Sequence, residues 1–99
     1  MNVIILPDAE ADLEEIGDLI FSDAPRRAVS FVRELRQSAL ALGAAPLAYP
    51  VFPSYERRGI RRRVHGRYII FYKIDKDRIF VLRILDGARN LRAILDPIR

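Results

Sequence analysis

Cysteine is absent from the 99 residues, so the chain has neither a disulfide framework nor a thiolate zinc site. No apolar run approaches the roughly 20 residues needed to cross a bilayer. The N-terminus lacks a basic stretch followed by an apolar one, and the expectation is a soluble, cytoplasmic protein without membrane contact. Histidine occurs once. There is no GxGxxG, no phosphate-binding P-loop, no HExxH and no cluster of His, Cys and acids at ligand spacing, so no metal or cofactor is expected.

What is present is apolar character and a lopsided charge. With 51% apolar residues, the length suits one domain with a modest core, spanning 1–99. Residues 1–50 hold eight acids and four bases, giving −4, whereas residues 51–99 hold five acids and thirteen bases, giving +8. A positive C-terminal half attracts nucleic acid or an acidic protein.

The pattern of elements is readable along the chain. "NVIIL" predicts a strand from Asn2 to Leu6. "PDAEADLEEIGDLIF" predicts a helix with Ala9, Leu13, Ile16 and Ile20 on one face, widened by Leu19 and Phe21, and with acids opposing the helix dipole in the first turn. The acids Glu10, Asp12, Glu14, Glu15 and Asp18 are expected on its solvated side. A second helix follows from Pro25 to Gly43, with Ala28, Phe31, Val32, Leu35, Ala39 and Leu42 on its apolar face. So short a link makes the pair an antiparallel hairpin, expected to lie across a sheet.

Pro46, Pro50 and Pro53 then exclude a regular helix and predict an extended connector pinned by Tyr49, Phe52 and Tyr55. Three strands follow, Ile60–Val64, Tyr68–Ile74 and Arg78–Leu85, joined by turns too short for crossovers, and so an antiparallel meander. In the last strand Phe80, Leu82 and Ile84 are expected to oppose Ile79, Val81 and Arg83. The sheet face away from the helices is expected to meet the connector, the C-terminal segment or another chain. A short helical turn precedes Asp96–Pro97.

Six arginines fall between Arg57 and Arg67. Arg61 and Arg63 share one face of a strand and Arg62 takes the other, with Arg57 and Arg58 entering from the connector and Arg67 leaving through the turn. Guanidinium groups bind phosphate or carboxylate in a bidentate manner, yet arginine is a poor general base because it stays protonated. His65, beside Gly66, is read as a turn residue; histidine is also a residue type that can serve as a general acid or base.

The ordered set "DAEADLEEIGDLIF", "APRRAVSFVRELRQSALALGAAP", "GIRRRVHGRYIIFYKID" and "IFVLRILDGARN" resembles the ParE branch of the RelE/ParE toxin superfamily over nearly the whole chain. The resemblance implies an α+β fold: an N-terminal strand, an antiparallel helix hairpin, a three-stranded antiparallel meander completing one sheet, and a short C-terminal helical segment. It implies the toxin of a type II toxin–antitoxin system, of the kind known as plasmid stabilisation proteins, with a cognate antitoxin as partner and DNA gyrase as the target inhibited without catalysis, causing growth arrest. Arg57, Arg58, Arg61, Arg63, Arg67 and Arg89 are the candidate contacts to target or antitoxin.

The alternative within the superfamily is a RelE-type endoribonuclease acting on messenger RNA at the ribosome, for which Arg61, His65, Tyr68 and Arg89 are the candidate residues. Ile69 and Leu95 stand where nuclease-type members carry an arginine and a tyrosine, which favours gyrase. Asp86 and Asn90 replace the histidine and aspartate of the usual ParE pattern after the last strand, while Arg89 remains. A divergent, inactive binding module is the third possibility.

Overall fold

The computed structural model describes residues 1–98. Strand β1 (Asn2–Ile5) leads into helix α1 (Pro7–Phe21), with Pro7 in the first turn, where a missing N–H costs nothing, and Asp8 and Glu10 beside the helix's positive end. A three-residue link returns the chain into α2 (Pro25–Leu40), which tightens into a 3₁₀ turn over Ala41–Ala44. The connector carries a second 3₁₀ turn, Glu56–Arg58, and then come β2 (Arg61–His65), β3 (Tyr68–Asp75), β4 (Arg78–Asp86) and α3 (Leu91–Leu95). The strands are ordered β1-β4-β3-β2. The meander is antiparallel as expected, while β1 pairs with β4 in parallel, so the sheet is mixed.

Two cores lie on the two faces of this sheet. On the helix side Ala9, Leu13 and Ile16 of α1 and Leu35 and Ala39 of α2 pack on Tyr68, Ile70, Tyr72, Ile79, Val81 and Ile84. On the outer side Ile69, Phe71, Leu82 and Leu85 are covered by Tyr55 and Phe52 of the connector and by Leu91, Ile94 and Leu95 of the C-terminal segment. The helices approach closely at Gly17, where a Cβ would stand 3.2 Å from a Val32 methyl. At Gly43 a Cβ would come within 2.4 Å of the Met1 carbonyl oxygen, so only glycine lets the end of the hairpin close on the first residue.

Three expectations are corrected. Leu19 and Phe21 do not widen the buried stripe; they are 68% and 57% exposed, because α1 packs mainly on α2 and β4 and its remaining flank faces solvent. Ile84 does not share a face with Phe80 and Leu82. Tyr72 pairs with Val81 but Phe71 pairs with Arg83, so β4 carries one extra residue, a bulge that inverts the alternation and sends Ile84 to the helix side and Leu85 to the outer side.

Asp12 is the third correction: it is not on the solvated face but only 5% exposed. Its carboxylate accepts two hydrogen bonds from Arg83, from Nε and Nη2, and one from the backbone N–H of Ile84, each at 2.8 Å. β1 ends opposite Val81, so beyond it β4 has no neighbouring strand on that side, and Asp12 supplies the acceptor that a strand would have supplied. Removing one partner of a buried ion pair leaves the other charge uncompensated. Asp12→Ala should therefore lower the unfolding free energy by about 3 kcal/mol in urea denaturation, and a loss below about 1 kcal/mol would show that α1 is held by its apolar contacts alone.

Candidate interaction surface

The register of β2 on β3 sets where each basic side chain goes. Arg61, Arg63 and His65 lie opposite Tyr72, Ile70 and Tyr68 on the helix side, while Arg62 and Val64 lie opposite Phe71 and Ile69 on the outer side. Arg61 donates through Nη1 to the Tyr49 carbonyl at 2.7 Å, and Arg63 through Nη1 to the Ser38 carbonyl at 2.8 Å, with its guanidinium over the Tyr49 ring. Ser38 is in the last turn of α2, where carbonyls lack helical partners, so Arg63 closes that helix end. His65 Nδ1 meets the Ser38 hydroxyl at 2.9 Å, and its ring stands edge-on to Phe31. The Tyr72 hydroxyl donates to the Pro46 carbonyl at 2.8 Å, and burial pushes its pKa up.

The remaining arginines divide by what they touch. Arg58 donates through Nη1 to the carbonyls of Leu95, Asp96 and Ile98 at 2.8–3.1 Å. Beside it the Tyr55 hydroxyl donates to the Asp96 carboxylate, a bond that raises the Tyr55 pKa. Together they fasten the C-terminal segment over the outer core. Arg67 pairs with Asp86 at 2.6 Å while remaining well exposed. The N–H of Ala88 and then Arg67 hold the Asp86 carboxyl below the usual carboxylate range. Among the described residues Arg57, Arg62, Arg89 and Arg92 have no carboxylate within ion-pair distance; Arg62 lies over the Phe52 ring and Arg92 reaches the Ser54 hydroxyl at 3.4 Å.

The six candidate contacts are therefore not one cluster. Arg57 and Arg89 are exposed without an ionic partner, Arg67 is exposed and paired, and Arg58, Arg61 and Arg63 are tied to main-chain carbonyls. Arg62 and Arg92 were not among the candidates. The alternation of β2 puts Arg62 on the outer face, but the sequence leaves that face open to the connector, the C-terminal segment or another chain, and the structure shows that the connector and the C-terminal segment cover it.

Of the four residues considered for nuclease chemistry, His65 and Tyr68 are cross-strand neighbours that both pack on Phe31, while Arg61 stands apart from them. Arg61 and His65 are the two ends of β2, about 13 Å apart at the rise of an extended strand. Tyr68 is 5% exposed and packs against Phe31. It lines, with Asp86 and Arg89, a shallow cleft whose other walls come from α1 and Ile84. Ile69 and Leu95 are buried in the outer core. A separate apolar groove runs along the hairpin between Leu13, Gly17, Phe21, Val29 and Val32, with Glu14 and Asp18 on its rim. Among the described residues no three His, Cys, Asp or Glu side chains are grouped to hold a metal, and no helix is long and apolar enough to cross a membrane.

Residues 3–91 match the family model described as the ParE toxin of the type II toxin–antitoxin system parDE. A solved structure titled as the chromosomal ParDE TA system from P. aeruginosa has a similar fold, with a TM-score of 0.76 at 22% identity, covering 87% of this chain and 95% of that one. Comparison with curated proteins gives no match.

Two measurements test these assignments. Arg63→Ala leaves the Ser38 carbonyl without its donor and should lower the unfolding free energy by about 1–3 kcal/mol, whereas Arg57→Ala should stay within about 0.5 kcal/mol; equal effects would make Arg63 an ordinary surface residue. For Asp86, a depressed folded pKa means that its stabilisation is complete above the ordinary value of 3.8 and is lost as pH falls through the lowered folded value. Asp86→Asn should accordingly flatten part of the acid limb of a stability–pH profile, and an unchanged limb would refute the assignment.

Proposed function

This chain belongs to the ParE toxin family of type II toxin–antitoxin systems, and on that premise we propose that it inhibits DNA gyrase by binding, without catalysing a reaction of its own, and is neutralised by its cognate antitoxin. The observation that carries the proposal is the dispersal of the ionisable groups. Arg61 and Arg63 are occupied by main-chain carbonyls, His65 by Ser38, and Tyr68 by packing. General acid–base catalysis requires an acid and a base within hydrogen-bond reach of one reacting group; Arg61 stands at the far end of β2, and of His65 and Tyr68, which are paired across β2 and β3, the first is bonded to Ser38 and the second is buried. The exposed candidates, Arg57, Arg67 and Arg89, suit contact with a macromolecule instead.

The antitoxin covers the apolar groove of the helix hairpin, where Phe21 and Val29 are more than half exposed. A wholly acidic segment, suggested by the net charge, does not suit this groove, because Glu14 and Asp18 edge it. The segment that fits carries apolar anchors at helical spacing with basic side chains beside those two carboxylates. This activity places the protein in the cytoplasm, acting as one domain over residues 1–99.

The test is a supercoiling assay with relaxed plasmid, gyrase and ATP, followed by detergent and protease. Loss of supercoiling with the appearance of linear DNA is expected, and added antitoxin should reverse it. Unchanged supercoiling by folded protein would overturn the proposal. If translating ribosomes then yielded messenger RNA fragments with cyclic or 3′ phosphate ends, the protein would be an endoribonuclease; if expression left growth unaffected, it would be an inactive binding module.

A further inference from the structure

We infer that the outer corner of the sheet formed by Arg57, Arg62 and Arg92 is a contact site for the sugar–phosphate backbone of duplex DNA. The three guanidiniums come from three elements: the 3₁₀ turn of the connector, strand β2 and helix α3. They are brought to one corner because the connector and the C-terminal segment cover the same core. Arg62 lies over the Phe52 ring, Phe52 is stacked on Tyr55, and Ser54, next to Tyr55, is the residue that Arg92 reaches. Among the described residues none of the three has a carboxylate within ion-pair distance. The two acids of the corner are already engaged: Glu56 accepts from the Ser54 N–H and Asp96 from the Tyr55 hydroxyl.

The chemistry of the corner selects among anionic partners. Single strands are gripped largely by aromatic rings on which bases stack. Here Phe52 has Tyr55 stacked on it, Arg62 over it and Phe71 against its edge, while Tyr55 is only 4% exposed, so the aromatics are spent and the guanidiniums form the surface. An acidic helix would seek a row of apolar anchor points beside the charges, yet Phe71 and Leu95 beneath this corner are fully covered, and Val64, 60% exposed two positions from Arg62 on the same face of β2, is a lone side chain rather than a groove. What the corner offers is a set of planar cations on a base that Arg58 fastens to three carbonyls. Guanidiniums of this kind, of which Arg62 is held over Phe52 and Arg92 against Ser54, match phosphate oxygens. The inference does not rest on the gyrase proposal, because bare duplex is a sufficient ligand.

The experiment is fluorescence anisotropy of a labelled 30-base-pair duplex titrated with the full chain at several salt concentrations. Neutralising three phosphates predicts a slope of log affinity against log salt of about −2.7. R57E/R62E/R92E should weaken binding at least about tenfold and flatten the slope, while R26E/R33E on the outside of α2 should leave it unchanged. R57E/R92E, which leaves the Arg62–Phe52 contact intact, serves if the triple variant fails to fold, with the same expected direction. Unaltered affinity of folded R57E/R92E, or equal loss in R26E/R33E, would overturn the inference. So would tighter binding of single-stranded DNA or of duplex RNA. Displacement of the DNA by poly-glutamate at equal charge would assign the corner to an acidic protein segment instead.

Discussion

A single carboxylate decides how the helix layer sits on the sheet. Asp12 receives two N–H groups of Arg83 and the N–H of Ile84, at the point where β4 has run past the end of β1 and carries an extra residue. A bulge there would ordinarily leave a backbone donor exposed to an apolar layer, which is costly. Asp12 satisfies that donor and is itself neutralised by Arg83, so the charge can be buried. With α1 tied at this point, Ala9, Leu13 and Ile16 fall on Ile79, Val81 and Ile84, and Glu10 reaches Arg36 of α2 in a bidentate pair at 2.6 and 2.8 Å.

The outer face of the sheet solves the same covering problem without helices of comparable length. An apolar sheet face must be shielded, and here an extended connector and one short helix do it. Neither would be stable alone, since a five-residue helix is far below the length that holds in water. They are held by polar bonds at their margins: Arg58 on three carbonyls and Tyr55 on Asp96. Much of the arginine content that suggests a nucleic-acid grip is therefore consumed in satisfying main-chain carbonyls. The charge left for a partner is smaller than the composition implies: among the described residues Arg57, Arg62 and Arg92 at the outer corner and Arg89 beside the α1 cleft have no carboxylate within ion-pair distance.

This partition bears on how a toxin of the ParE family divides its surface. The hairpin groove is apolar with an acidic rim, and the outer corner is cationic with its apolar residues covered. Two surfaces of opposite character suit two different partners, and the proposed function needs both to remain accessible. The cost is exposed apolar area at Phe21 and Val29, a solvation penalty that an antitoxin seated on the groove would remove.

Element order, the hairpin, the meander and the double-sided cover were legible in the sequence because each rests on local information: apolar period, proline position and turn length. The strand alternation also correctly separated Arg62 from Arg61 and Arg63. The bulge was not legible, since one extra residue in β4 leaves the alternating pattern of "IFVLRIL" intact and shows only when β3 is laid beside it. Asp12 was hidden for the same reason: among six acids on one helix, nothing local marks the one that a distant arginine and a backbone N–H will neutralise. Nor does a run of arginines state which members will find carbonyls. The sequence by itself determined which segments are helix and strand and, up to the bulge in β4, which strand residues share a face. Only the tertiary structure decided which charges are buried, which are spent on the backbone and which stay free, because those outcomes depend on partners up to 72 positions away along the chain.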